Sequence, residues 1–598
     1  MKTKISMLIA AAVLLISCDL NKMPLSQLSP DSFFSNETEL QAFSNQFYTI
    51  FPATGVYEEE SDMLIKDGLT NEMESARPVP SSGGGWSFTD LRNYNTLIEY
   101  SVNCKDEAVR TKYIALARFF RAYYYFDKVK KFGDYPYYDK QMGSDDPDLY
   151  KPRDSREFVM TKILEDLDFA INNLTSDHDL YRVTKWTALA LKSRVCLFEG
   201  TFRKYHAGKN VLATLPADAK PYTYYLELAV EASEEFINTS GYGLYTGGGK
   251  QNSYRDLFVG EVTSGDAFPE EVILARDYDQ GLGTTHNGTY YTLGNYGNPS
   301  MTRKMACTYL MADGTRFTDK EGWDKMLFSE ETKGRDPRMA QSIRIGEYKR
   351  VGSNQVQAPN FNNTITGYQP TKWMQSVVLD IDRYGAAFND LPIFRTAEIY
   401  LNFAEALAEL EDKGTRQITQ SDLDKSVNKL RDRVGMPGMN LMEANQNPDP
   451  YLMAEDTGYP NVTGPNKGII LEIRRERSVE FFMENFRYYD LIRWRNGQAF
   501  THPYLGIYIP ELGIYDLNGD GTQDVCFYPK GNEPKDLDEG IYKVEIDVKA
   551  YLTEGDHGYI LTNKNTPGKW DEDKDYLYPI PTKEITLTGG VITQNPGW

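Results

Sequence analysis

Residues 106–133 read DEAVRTKYIALARFFRAYYYFDKVKKFG, a run without proline or internal glycine in which Tyr113, Leu116, Phe120 and Tyr124 recur at steps of three and four. That spacing sets apolar side chains on one face of a helix, and Gly133 is placed to end it. Further along, Arg156 to Leu174 carries Phe158, Ile163, Leu167 and Ile171. Thr184 to Glu199 carries Leu189, Val195 and Leu197 with the small Ala188 and Ala190, which let two helices approach closely. Helical patterns continue over Tyr224 to Ile237, Arg395 to Leu410, Asp422 to Val434 and Ile469 to Arg495, and Asn36 with Glu39 has the spacing of a capping box before an earlier helix. The pattern predicts a mainly α fold, a tetratricopeptide-like α-α superhelical scaffold, although no repeated 34-residue register fixes it by periodicity.

Between the helical blocks the character changes. From about Gly241 to Asp390 the chain holds Gly247-Gly248-Gly249, many Asn, Thr and Tyr, and only a short helical pattern at Arg303 to Met311; it predicts loops and short strands. After Gly497 the chain is again rich in Pro and Gly, apart from Tyr542, Val544, Ile546 and Val548, which alternate with charged residues as a half-buried strand does. The expected organisation is therefore a signal segment over 1–17, a tether over 18–30, a helical region over 31–240, a loop-rich ligand face over 241–390, and helices plus a loop-rich tail over 391–598. Long loops on a rigid scaffold usually carry function.

The N-terminus points to a destination. Lys2 and Lys4 precede an apolar run from Met7 to Ile16, and Ser17-Cys18 follows, the layout of a secretory signal too short for a spanning helix. Leu15-Ile16-Ser17-Cys18 resembles the bacterial lipobox, in which Cys18 becomes the acylated first residue; an ordinary cleaved signal with a chance cysteine is the alternative. Two or more acyl chains would hold the protein stably on a membrane. With 598 residues the chain exceeds one ordinary core, and 65 basic against 86 acidic residues give a net charge of −21, the wrong sign for gripping nucleic acid. Cys104, Cys196, Cys307 and Cys526 are widely spaced, with no CxxC, and their pairing is left open; the five histidines form no ligand spacing.

Three groups of residues invite a chemical reading. Asp516, Asn518, Asp520, Thr522 and Asp524 offer oxygens at alternate positions with Gly521 sixth, the start of a calcium-loop pattern. Phe527 stands where that loop needs Glu, so a structural Ca²⁺ site and an Asx-rich turn are both open, and no other cofactor is required. Glu472, Glu476 and Glu480 share a helix face and could be offered as a glycosidase pair, although Arg475 and Arg477 beside them make ion pairing the better explanation. Sugar rings lie flat on aromatic faces, so aromatics in polar loops are candidate platforms: Trp86 after Gly83-Gly84-Gly85, Tyr290, Tyr291 and Tyr296 in a Gly/Asn/Thr-rich loop, and Trp373, with Asn93 and Arg77 weaker. Each ring could equally be core.

Several blocks, in order, carry a family resemblance. Ala115 to Phe126 followed by Phe132-Gly133-Asp134-Tyr135-Pro136, then Thr184-Lys185-Trp186, Tyr254-Arg255-Asp256-Leu257-Phe258, Arg335-Asp336-Pro337-Arg338, Phe394 to Ala406, Glu472 to Glu480, Tyr488 to Trp494 and Gln594-Asn595-Pro596-Gly597-Trp598 resemble the SusD/RagB family of Bacteroidetes outer-membrane lipoproteins. The resemblance spans nearly the whole chain after Cys18. It implies a non-enzymatic, lipid-anchored protein of the outer cell surface that captures an oligosaccharide and serves as lid to a SusC-type TonB-dependent transporter. Capture of peptides or glycopeptides, as the RagB branch implies, is the alternative; a surface glycoside hydrolase is a more distant one. One departure stands out: the family's usual Glu-Gly before Phe486 is here Glu484-Asn485.

Overall fold

The computed structural model describes residues 33–53, 60–143, 145–259 and 268–598; the expected signal segment, tether and Cys18 lie outside them. Its scaffold is helical. The first helices are α1 (Glu37–Ser44), α2 (Thr89–Tyr100), α3 (Glu107–Phe132), α4 (Arg156–Asn173), α5 (Lys185–Tyr205) and α6 (Tyr222–Thr239). The later ones used here are α7 (Thr396–Leu410), α8 (Lys467–Glu480) and α9 (Arg487–Arg493). α3 begins where Asp106 accepts the Val109 N–H at 3.1 Å and ends at Gly133, whose φ of +72° suits a residue without Cβ. At α1 Asn36 caps the Glu39 N–H, but the Glu39 carboxylate reaches one residue further back, to the Ser35 N–H, so the box is only half formed as expected.

Helix-on-helix packing builds the array: α3 packs on α2 and α4, α5 on α6, and α7 lies against α5, α6 and α8. A close approach is at Gly200 of α5, where an added Cβ would sit 2.7 Å from the Leu226 side chain and 3.1 Å from its backbone nitrogen. Glycine costs about 1 kcal/mol in a helix interior; here it lets α6 seat against α5. Seven residues upstream on the same face, the Ser193 and Ser233 hydroxyls meet at 2.8 Å across the buried contact.

Two expected helices are broken. Asp422 to Val434 divides into Gln420–Asp424 and Val427–Arg433, because the Ser426 hydroxyl donates to the Asp422 carbonyl at 2.5 Å while its own backbone leaves the helical region. Ile469 to Arg495 divides into α8 and α9 because Met483 and Asn485 take φ of +59° and +60°. Asn tolerates the left-handed region better than other side chains except glycine, so Asn485 can stand where glycine is usual.

The strands belong to a second layer. Val272–Arg276 pairs antiparallel with Leu391–Arg395. Gly513–Tyr515, Val525–Tyr528 and Tyr542–Glu545 form a mixed sheet, and Leu505–Ile509, Gly558–Leu561 and Tyr551–Leu552 an antiparallel one. The strand expected to run to Val548 stops at Glu545; Val544 and Ile546 are buried, but Asp547 turns the chain at φ +66° and leaves Val548 half exposed. The hydrophobic cores follow this division: one unites α1–α8 with Trp570, Tyr576 and Ile592, and the other joins residues of 254–391 to the tail strands of 507–560. The tail strands thus complete the core of the 241–390 region, a pairing the sequence division did not foresee. Cys104, Cys196, Cys307 and Cys526 are all buried free thiols.

Where the two layers meet, the filling is ionic. Arg395 contacts Glu480 at 2.7 Å, Glu484 at 2.7 Å and Glu271 at 3.0 Å; Arg433 contacts Glu480 at 2.7 Å and Glu271 at 3.1 Å. Lys372 reaches Glu484, Arg338 reaches Asp336, Glu476 and Glu480, and Arg431 closes on Glu476. These five cations and five carboxylates are all buried or nearly so, and removing one partner from such a set typically costs about 3–5 kcal/mol.

Two tests of the packing follow. Gly200→Ala should lower the thermal midpoint despite alanine's higher helix propensity, by an overpacking cost of about 1–3 kcal/mol; a raised midpoint would show that α6 is not held at this distance. Burial raises the pKa of Glu405, but Arg493, Arg477 and Arg474 win and bring it down to about 2. A depressed carboxylate stabilises the fold above its unfolded pKa near 4.5 and loses that contribution as pH falls toward 2, on the order of 3 kcal/mol for this group. The midpoint should therefore be flat near neutrality and fall below about pH 4.5, and Glu405→Gln should start lower at pH 7 and fall less steeply.

Candidate functional site

The aromatic candidates separate into core and surface. Trp86 is 5% exposed, with its ring centroid 4.4 Å from that of Tyr135 and 5.1 Å from that of Phe132. Trp373 is fully buried, donates Nε1–H to the Met483 carbonyl at 2.9 Å and lies edge-on to Phe258. Tyr291 is also buried. These three are corrections: their loops are polar, but their rings turn inward, Trp86 onto Phe132 at the end of α3, and Tyr291 and Trp373 into the core of the loop-rich layer. Among the weaker candidates, Asn93 bonds Gln46 on the surface, while Arg77 is a buried clasp on Asp575 with Tyr578 and Trp598 against its guanidinium.

Tyr290 and Tyr296 remain at the surface, and a third ring joins them. Tyr384, 66% exposed, lies 5.9 Å from Tyr290 and 6.4 Å from Tyr296, which are themselves 5.7 Å apart; all three contacts are edge-to-face. Local chemistry fixes each ring. Tyr296 sits at φ +64° between the left-handed Gly294 and Gly297, and an added Cβ at Gly294 would meet Asn363 at 2.6 Å. Tyr384 is held by its neighbour Gly385, whose N–H donates to Asn287 and whose carbonyl accepts from Thr285, with the His286–Ala387 bridge just beyond. Sequence reasoning missed Tyr384, because its charged 380–384 loop lacks the Gly/Asn/Thr richness that singled out Tyr290 and Tyr296.

Two residues beyond Tyr296, Asn298 enters the wall of a groove of about 410 Å³. Asp67, Asn362 and Asn563 bring carboxylate and amide groups to it, and Phe361 and Tyr551 bring rings. Asn563 is fixed at φ +48° by accepting the Gly68 N–H and donating to the Lys66 carbonyl. Asp67 and Asn362 are exposed. Amides and a carboxylate supply the paired donors and acceptors that vicinal hydroxyls take, and ring faces suit C–H surfaces. Lys549 lines the groove as well, so it offers both donors and acceptors for hydrogen bonds.

The helical carboxylates are occupied otherwise. Burial pushes Glu476 up, but Arg338 and Arg431 hold it below the usual carboxylate range; Glu480 is likewise held well below it by Arg433, Arg395 and Arg338. Glu472 pairs with Arg475 at 3.1 Å. A glycosidase acid needs a raised pKa and access to substrate, and the buried, arginine-bound Glu476 and Glu480 have neither.

The 516–524 loop is organised by its own backbone. The two Asp516 carboxylate oxygens accept the Gly519 and Gly521 N–H groups at 2.7 Å, Asp524 accepts that of Leu517 and Asp520 that of Thr522. Phe527, at the twelfth position, is buried on its strand. Such bonds are those of an Asx-rich turn, and among the described residues no group of His, Cys, Asp or Glu is arranged to hold a metal ion. Also among the described residues, no helix is long and apolar enough to cross a membrane.

Comparison with known proteins adds a lineage to this geometry. A family model described as the SusD family matches residues 270–598, and one described as starch-binding associating with outer membrane matches 82–190. A SusD-like protein of Bacteroides ovatus is 26% identical over 280 residues, 43% of this chain; the match spans about half (47%) of that relative's length. SusD-like protein P2 of Formosa agariphila is 21% identical with all of both chains aligned. A crystal structure of a SusD-like protein from Bacteroides fragilis superposes with TM-score 0.66 at 22% identity, covering 96% of this chain and 100% of that one. Another, crystallised with xylogluco-oligosaccharide, gives 0.56 at 18% identity over 94% and 97%.

The turn reading of 516–524 has a direct check. EDTA should leave the thermal midpoint unchanged, and added Ca²⁺ should not raise it; a Ca²⁺-dependent rise abolished by Asp520→Ala would restore a metal site.

Proposed function

The chain belongs to the SusD family, and from that premise we propose that it is a non-catalytic surface lipoprotein that captures an oligosaccharide along the Tyr290–Tyr296–Tyr384 cluster and the adjoining amide-lined groove. The observation that carries this reading is the juxtaposition itself: three surface rings at 5.7–6.4 Å from one another, continuous in sequence with a groove holding Asp67, Asn298, Asn362 and Asn563. Rings and amides together match the two faces of a sugar, its C–H patches and its hydroxyls. A similar fold from Bacteroides fragilis is described as a SusD-like carbohydrate binding protein, which supports the same ligand class here.

Capture without turnover fits the ionised, arginine-bound state of Glu476 and Glu480. Acylation at Cys18 would tether the protein to the outer membrane, in keeping with the family description that matches residues 82–190, and delivery to a SusC-type TonB-dependent transporter is the destination that the resemblance implies. The oligosaccharide, the transporter and the membrane are thus its three partners in this reading.

Calorimetry with a panel of oligosaccharides and peptides, on the chain without residues 1–18, tests it. At least one oligosaccharide should bind without any change of mass, and Tyr384→Ala and Asn362→Ala should each weaken it by about tenfold, the loss of one stacked ring or one bidentate amide. Cleaved products would sink the non-catalytic reading, and binding confined to peptides would move the assignment to the peptide-capturing alternative.

A further inference from the structure

A second cavity lies inside the helical scaffold. It encloses about 470 Å³ between α3, α5, α7 and the α8–α9 turn, within the range of small-molecule sites. Its walls are aromatic: Tyr123, Phe126, Phe198, Phe486 and Tyr489 all line it. Ionic groups line it too, and almost all of them are matched. Arg194 is bidentate on Glu398 at 2.6 and 2.7 Å, Arg477 and Arg493 share Asp490, and Arg395 takes Glu484. Arg493 and Arg395 are completed outside the cavity by Glu405 and Glu480. Asp127 faces Lys128 and Lys131, each at 3.4 Å.

Lys130 is left over. Its ammonium sits 4.1 Å from the Tyr489 ring centroid and 4.9 Å from that of Phe126, and it forms no ion pair or hydrogen bond among the described residues. Neither the Tyr123 nor the Tyr489 hydroxyl has a hydrogen-bond partner among those residues either. An ammonium with no direct ion pair, held only by the nearby charge of Asp127, and two hydroxyls without protein partners are thus set among five rings. All three side chains are partly exposed, so water reaches them and a ligand carboxylate can take its place.

The geometry points to this cavity as a binding site for a small monocarboxylate with an aromatic or flat apolar body, its carboxylate on Lys130 and its body among Phe126, Phe198 and Phe486. Lys130, the lining cation without an ion pair, offers a single charged contact, which suits a monoanion. The rings select a ligand with an apolar body over acetate, and a charge-assisted bond to an ammonium is stronger than a neutral one. Burial pulls the Lys130 pKa down to about 8, opposed in part by Asp127, and a bound carboxylate would return it upward. The site shares no lining residue with the amide-lined groove, so it stands whether or not that groove holds a sugar.

The test uses phenylacetate as probe, with phenylacetamide lacking the charge and acetate lacking the ring, by calorimetry at pH 7 on the chain without residues 1–18. Phenylacetate should bind at least about tenfold more tightly than either control. Lys130→Met, which keeps the stem in place, should abolish that preference, Tyr489→Phe should weaken it without altering the thermal midpoint, and Tyr384→Ala should leave it unchanged. Absence of phenylacetate binding, equal binding of the amide, or loss through Tyr384→Ala instead of Lys130→Met would each overturn the assignment. Should Lys130→Met fail to fold, Tyr489→Phe and the amide control decide it.

Discussion

The loop-rich layer is fastened to the helices most densely through one buried knot of charge. Glu480, at the end of α8, receives Arg395, Arg433 and Arg338 at once; these come from a strand, a short helix and the loop-rich layer. Hydrophobic contact alone would let the two cores slide, since apolar packing is non-directional. Arginine forks on carboxylates fix distance and angle together, so the knot sets how the loop layer sits on the scaffold. The surface rings and the groove inherit their positions from it. Such a set is weak evidence for stability; its contribution is a defined orientation.

The same logic explains the tryptophan that follows α9. Trp494 is fully buried with its Nε1–H on Glu405 at 2.7 Å, and the Arg474 and Arg493 guanidinium groups lie 4.3 and 4.5 Å from its ring. A large ring held between two cations and hydrogen-bonded to the carboxylate that Arg493 also grips makes a rigid post in the middle of the helical array. The chain has a net charge of −21, yet its interior is close to balanced charge by charge. The surplus acid is therefore at the surface, where it favours solubility more than fold.

What could be read from the sequence was whatever local physics decides. The span of α3 follows from Asp106, Gly133 and the apolar period between them, and the observed ends match. The breaks at Ser426 and Asn485 were hidden because they depend on a side chain choosing its own backbone, or on one residue taking positive φ, inside a pattern that otherwise continues. The site was harder. Trp86 and Tyr384 both occupy glycine-bearing loops, and only the tertiary packing tells them apart: Trp86 lies over Phe132 and Tyr135, while Tyr384 has rings only at its edges. The groove draws on residues near positions 67, 298, 362 and 563, a gathering that no spacing rule anticipates.

The Arg77 clasp carries a consequence for how the chain reaches this state. Its partner Asp575 lies 498 positions later, and Asn595 donates to the Phe132 carbonyl at the end of α3. The earliest helices therefore stay open at one end until almost the whole polypeptide has emerged. Closure across so long a loop is entropically slow, and an unfinished intermediate exposes apolar surface. A growing chain of this design has to be kept from aggregating for most of its synthesis, and its last few dozen residues act as the latch that ends that vulnerable interval.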